Sequence, residues 1–128
     1  MAGALQEARH ACARAAAIDE RVAVVAAAEV TSHVGLLAAV PEDVRRAFAE
    51  RVLGPLLAHD ARAGTGLLPT VAAFLDCDGS WTRAAARLHL HVNSVRYRIA
   101  RVEELTGRDL STLGDRVDLL LALAVRGR

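Results

Sequence analysis

Between Ser80 and Ile99 the chain reads Ser-Trp-Thr-Arg-Ala-Ala-Ala-Arg-Leu-His-Leu-His-Val-Asn-Ser-Val-Arg-Tyr-Arg-Ile, a stretch rich in groups that grip a polyanion. Arg83, Arg87, Arg96 and Arg98 fall in this region and Arg101 follows, yet no carboxylate occurs from Ser80 to Ala100. Guanidinium groups meet phosphate through a two-pronged fork, while amides and hydroxyls such as Asn93 and Ser94 can read the edges of bases in a major groove. A cluster of charge is usually a solvated helix face. Here the missing acidic partners favour a polyanion, although the formal net charge of the whole chain is only +1.

Other chemistries find little footing. All 16 basic residues are arginine, which excludes a phosphate-loop lysine, a Schiff-base lysine and a lysine general base. His89 and His91 form an H-x-H without a third ligand at zinc spacing. Asp76-Cys-Asp-Gly79 lacks the closing glutamate of a calcium loop and reads as a turn. Gly64-Thr-Gly66 is a lone G-x-G without a strand before it. Cys12 and Cys77 have no CxxC spacing and read as small buried side chains in a reducing cytosol. No Ser-His-Asp order, H-E-x-x-H or G-x-S-x-G stands out, so neither an enzyme nor a bound cofactor or metal is expected.

The elements that must position the arginines are helical. Hydrophobic residues make up 53% of the chain and aromatics 3%, so the apolar mass is alanine, leucine and valine. That composition builds helices with small contact residues, and an all-α fold is expected. Ala4–Ala17 reads as a helix; Arg21–Val25 reads as a short strand or as the start of the next helix; helical character resumes from about Glu29 to Ala39. No run of 18 apolar residues suggests a membrane span. Pro41-Glu42-Asp43 starts a helix, with carboxylates at the positive end of its dipole. Val44, Phe48, Val52 and Leu53 mark its apolar stripe, which Gly54-Pro55 interrupts before the short continuation Leu56-Leu57-Ala58. Ala63-Gly64-Thr65-Gly66 is the clearest punctuation and a domain boundary is placed there. Beyond it come a helix over Leu67–Asp76, a turn at Cys77-Asp78-Gly79, and a helix to Leu88 capped by Ser80. A tight turn at His89-Leu90 leads to a helix from His91 to Leu105, stopped by Gly107. The last helix spans Asp115–Val125, with Val117, Leu120, Leu121 and Ala124 on one face.

A short helix, a tight turn and a second helix can cross steeply only over small residues, and Ala84, Ala85 and Ala86 supply them. Leu88 and Leu90 plug the space beneath the turn. Val95, Ile99 and Val102 form the buried stripe of the second helix. At about 100° per residue the opposite face carries Asn93, Ser94, Tyr97 and Arg101, flanked by Arg96 and Arg98. Arg96, Arg98 and Arg101 are favoured as DNA ligands over plain surface charge. Asn93 could read adenine or merely bond the first turn; Tyr97 could meet a phosphate or pack on the preceding helix. Trp81 is expected to pack the first helix of the motif, and Thr82 and Arg83 to anchor phosphate at a helix start. His89 stands at a position suited to glycine, which histidine tolerates.

Leu67–Leu75, Ala85–His91, Asn93-Ser-Val-Arg-Tyr-Arg-Ile99 and Glu103-Glu-Leu-Thr-Gly-Arg-Asp-Leu110 together resemble the C-terminal domain of PucR/CdaR-type transcription regulators. The likeness covers nearly all of 67–128, weakens through Val44–Asp60 and is faint over residues 1–40. The motif itself is similar to the Fis-like helix-turn-helix. Val92 stands where the family often has a polar or basic residue, and Ser94 where threonine is more usual. The resemblance implies that 1–40 are the tail of an upstream central or sensor domain or a helical dimerisation segment. It likewise implies that 41–66 are linking helices and 67–128 the DNA-binding domain. It implies double-stranded DNA as partner, with Thr82, Arg83, His91, Asn93, Ser94, Arg96, Tyr97, Arg98 and Arg101 as contacts. A cytoplasmic, nucleoid-associated homodimer on half-sites about 34 Å apart follows from it, with any effector bound by a domain missing from this chain. The spare apolar surface of 4–39 would serve pairing. The rival reading is a helical dimerisation or interaction module with vestigial DNA binding; a third is an architectural protein that bends DNA with little sequence preference.

Overall fold

The computed structural model describes residues 31–127. The expected helix at 4–17, the undecided segment 21–25 and Cys12 lie outside the described residues. Among those described, six helices and no strand occur: α1 (His33–Ala38), α2 (Glu42–Ala63), α3 (Leu67–Asp76), α4 (Trp81–Leu88), α5 (Val92–Thr106) and α6 (Leu113–Arg126). The all-α expectation holds. The chain divides into compact units between Val44 and Arg45. In the first unit α1 is a short helix whose Ser32 hydroxyl accepts from the Gly35 N–H.

The second unit is built on one core. Val52, Leu53 and Leu56 of α2 join Leu67, Val71 and Phe74 of α3, Ala84 and Ala85 of α4, Val95, Ile99 and Val102 of α5, and Leu119, Ala122 and Leu123 of α6. Gly54-Pro55 does not interrupt α2, contrary to the expectation from sequence: the helix runs unbroken from Glu42 to Ala63 with Pro55 inside it. Proline removes the bond to the carbonyl four residues back and crowds the residue before it. Gly54 has no Cβ to crowd, and Arg51 and Pro55 are both exposed, so the orphaned carbonyl lies on the solvent side of the helix. Val52, Leu53 and Leu56 on the opposite face hold the helix in place.

Chain turns are set by local bonds. Gly66 precedes α3 with φ +67° and offers no side-chain cap. Asp60 supplies one from α2: its Oδ1 accepts from the Leu67 N–H at 2.8 Å and its Oδ2 from the Leu68 N–H at 2.9 Å. The Thr65 hydroxyl donates to the same carboxylate at 2.6 Å. Partial burial pushes the Asp60 pKa up, but the bonds from Leu68, Thr65 and Leu67, with His59 nearby, outweigh it and hold the group below its usual 3.8. A carboxylate with a depressed folded pKa contributes stability above the unfolded value, and that contribution is lost as pH falls through the folded one. Asp60→Asn should therefore cost about 1–2 kcal/mol at neutral pH, the range for a lost cap and a charge-assisted bond at a half-exposed site. In urea titrations the gap from the unmutated chain should close as the pH drops below 3.8; a gap that persists in acid would show that the charge is not what caps α3.

The last helix corrects a second expectation. It starts at Leu113, and its buried face is Leu119, Ala122 and Leu123, whereas Val117 is 39% exposed and Leu120, Leu121 and Ala124 are half-buried. Apolar residues occupy every position from 119 to 125, so periodicity alone cannot set the rotation. The connection that delivers α6 sets it. Leu110, itself buried, receives a bond from Arg116 Nε at its carbonyl (2.6 Å) and gives its N–H to Glu103 Oε2 (3.0 Å). Arg108 bridges Asp115 and Asp118 of α6.

Candidate nucleic-acid interface

Helices α3, α4 and α5 pack as a trio, with the α4–α5 turn left-handed at His89 (φ 55°, ψ 43°). The Leu90 N–H closes that turn onto the Ala85 carbonyl at 3.0 Å. Ala84 and Ala85 are buried at the crossing, as expected; Ala86 is exposed and contributes nothing to it. Leu88 and Leu90 pack against the core from beneath. Histidine thus takes the backbone shape usually left to glycine, and the geometry of a helix-turn-helix results.

His91 caps α5, its Nδ1 accepting from the Asn93 N–H at 3.0 Å. The H-x-H is thereby accounted for by two backbone tasks, one histidine turning the chain and the other capping. Among the described residues no three His, Cys, Asp or Glu side chains gather as a metal site. Since the imidazole caps the first turn, the Asn93 side chain is not needed for it. Asn93, Tyr97 and His91 are exposed and Ser94 is half-buried. Tyr97 is 74% exposed, which decides against its packing on α4.

The flanking arginines are held. Arg96 lies over the Trp81 ring at 4.7 Å, and Trp81 in turn packs on Phe74 with ring centroids 4.6 Å apart. The indole thus joins the aromatic core and also carries a cation. Arg98, on the opposite flank, is half-buried and donates to Thr70 Oγ1 of α3 at 3.3 Å. The Thr70 hydroxyl in turn donates a hydrogen bond to the Gly66 carbonyl at 2.7 Å. Arg101 pairs with Glu104 at 2.6 Å, one turn along α5.

At the start of α4 the Ser80 hydroxyl accepts from the Arg83 N–H at 3.2 Å, and Thr82 and Arg83 are exposed beside it. Two carboxylates reach α4: Asp78 of the α3–α4 turn lies 3.9 Å from Arg83 in its first turn, and Asp76, the last residue of α3, lies 3.6 Å from Arg87 in its last turn. Sequence reading missed both, because it counted acids only within the stretch. It also missed Asp60 and Glu104, whose roles depend on which helix turns they face. The structure therefore brings His91, Asn93, Ser94, Arg96, Tyr97, Arg98 and Arg101 onto one helix, with Thr82 and Arg83 beside its Arg96 flank.

A family model described as the PucR C-terminal helix-turn-helix domain matches residues 67–125. An uncharacterized protein in the pkwA 5' region of Thermomonospora curvata is 46% identical over 82 residues, covering 64% of this chain and 45% of that protein. The transcriptional activator PmfR of Paenarthrobacter nicotinovorans is 39% identical over 69 residues, covering 54% of this chain and 14% of PmfR. The proline-responsive transcriptional activator PutR of Bacillus subtilis is 34% identical over 76 residues, covering 59% of this chain and 18% of PutR. The chain thus spans less than half the length of each of these relatives. No solved structure matches it. A left-handed turn between two helices that cross over Ala84 and Ala85 agrees with the matched family: residues 67–125 are a helix-turn-helix domain of the PucR C-terminal type.

Proposed function

We propose that α5 lies in the major groove of its operator and reads sequence there, while α4 braces the sugar-phosphate backbone. The observation that carries this reading is the outer surface of α5: Asn93 and Tyr97 stand exposed between two flanks of restrained arginine. A helix with its side chains is about 10–12 Å across and the major groove about 12 Å wide, so the centre of such a face meets base edges and each flank meets one strand. Asn93, with His91 and Ser94 at the helix start, takes the base-reading role. Thr82, Arg83 and Arg96 serve one strand; Arg98 and Arg101 serve the other. Tyr97 reaches the backbone through its hydroxyl.

On this reading the chain is the operator-binding end of a longer cytoplasmic regulator, with residues 1–40 the tail of a preceding domain and 41–66 a linking segment whose α2 also packs into the core of the DNA-binding unit. A homodimer on paired half-sites about 34 Å apart, or a multiple of that, would place two such helices on one face of the duplex. The relatives named as transcriptional activators support a regulatory role.

The test begins with a gel shift on random duplex at low and moderate salt, followed by selection of bound sequences. Asn93→Ala should then cost about 1–3 kcal/mol at a single base position and leave the others unchanged. Arg98→Ala should weaken binding across all sequences and flatten the salt dependence by about one phosphate. Selection that returns no preferred sequence would favour the architectural reading, and no shift at low salt would favour a helical interaction module.

A further inference from the structure

On the flank of α5 that faces α3, a cleft of about 650 Å³ opens toward the end of α2 and the Gly64–Gly66 turn. His59, Thr65, Tyr97, Arg98, Arg101 and Glu104 line it. Its far wall is fixed, because the Thr65 hydroxyl donates to Asp60 and the His59 Nδ1 lies 2.9 Å from the Thr65 oxygen. Arg98 closes one side; a Cβ on Gly66 would stand 3.1 Å from its Nη1, a tight contact from which the guanidinium would have to give way slightly, while φ +67° is what favours glycine there. Arg101 enters from the next turn, its side chain 40% exposed and bonded to Glu104, which is 63% exposed.

We propose that this cleft seats a phosphate of the DNA strand running along that flank, and that Glu104 competes with the phosphate for Arg101. The proposal rests on α5 being the helix in the groove. Two features identify the occupant. Tyr97 and Arg101 belong both to the cleft and to the outward face of α5, so a duplex on that face passes over the cleft mouth. Two arginines, Arg98 and Arg101, line the cleft and give it the charge a phosphate needs. Glu104 is the one carboxylate lining the cleft. An exposed pair three residues apart is weak and yields to a phosphate, yet the displaced carboxylate stays beside the incoming anion and opposes it. Glu104 thus acts as a brake on affinity that residues 59–67, outside the helix-turn-helix, help to shape.

The test measures binding of the full chain to a random-sequence duplex by fluorescence anisotropy from 50 to 200 mM salt. Arg101→Ala should reduce the slope of log K against log salt by about 0.9, one phosphate contact. Glu104→Gln should tighten binding about threefold or more, and this gain should largely vanish in the Arg101→Ala background, the mark of direct coupling. Arg101→Gln repeats the measurement with the helix-forming stem retained. A gain that persists undiminished without Arg101 would reduce Glu104 to general repulsion and overturn the proposal. So would variants with unaltered duplex affinity whose Thr65 amide resonance shifts with inorganic phosphate, since the cleft would then be a small-anion site away from DNA. An unmutated chain that fails to bind duplex at low salt would remove the groove reading itself, a result distinct from either of these.

Discussion

Phe74→Ala is expected to lower stability by about 3–5 kcal/mol, the usual cost of emptying a fully buried aromatic site. Phe74 is 1% exposed at the centre of the core. Trp81 packs against it, tilted by 44°, and the Arg116 guanidinium lies 5.7 Å from its ring centroid. Truncation leaves a cavity that cannot close without moving Trp81, and Trp81 is the platform for Arg96. The loss should therefore appear twice, in the urea midpoint and in DNA affinity measured where the variant is still folded. Domains of this size have only about 5–15 kcal/mol in reserve, so a large part of the population would unfold at elevated temperature. A cost below about 1 kcal/mol would mean that the ring is not the keystone of α3, α4 and α6.

Leu53→Ala should cost about 2–5 kcal/mol, and the informative point is where the loss is felt. Leu53 lies in α2, before the Gly64–Gly66 turn, yet it is 0% exposed and belongs to the same core as α3 to α6. The chain has a single tryptophan, Trp81 at the start of α4, so its fluorescence reports on the helix-turn-helix alone. If α2 is part of the folding unit, the fluorescence transition should shift with the variant as far as the helix signal does. Were α2 merely a linker, the tryptophan transition would stay at the wild-type midpoint. The same logic warns against cutting the DNA-binding unit at Gly64, since Val52, Leu53 and Leu56 would be missing from its core.

Most of the helix-turn-helix is legible in the amino-acid sequence. Its signals are local: Ser80 as cap, two alanines at the crossing, a residue able to adopt positive φ, and a four-three apolar stripe at Val95, Ile99 and Val102. Each depends on neighbours within a turn or two of chain, so spacing alone reveals it. Two misjudged features failed for a common reason. Gly54-Pro55 carries a breaker's chemistry, but long-range burial of Leu53 and Leu56 outweighs one lost backbone bond. In α6 every residue from 119 to 125 is apolar, so only packing against the rest of the core could choose the face.

The amino-acid sequence by itself determined the helical class, the position of the motif and the identity of the outward groups on α5, because periodicity and capping act over a few residues. Tertiary structure alone decided which arginines are held and by what. Trp81 beneath Arg96, Thr70 beside Arg98, Asp60 capping α3 and Glu104 on Arg101 depend on how helices meet, or on which rotamer a packed surface leaves open. Charge counted along a chain is a sum. Charge presented to a duplex is a geometry, and folding brings Asp76, Asp78 and Glu104 into a patch that the linear text shows as free of acid.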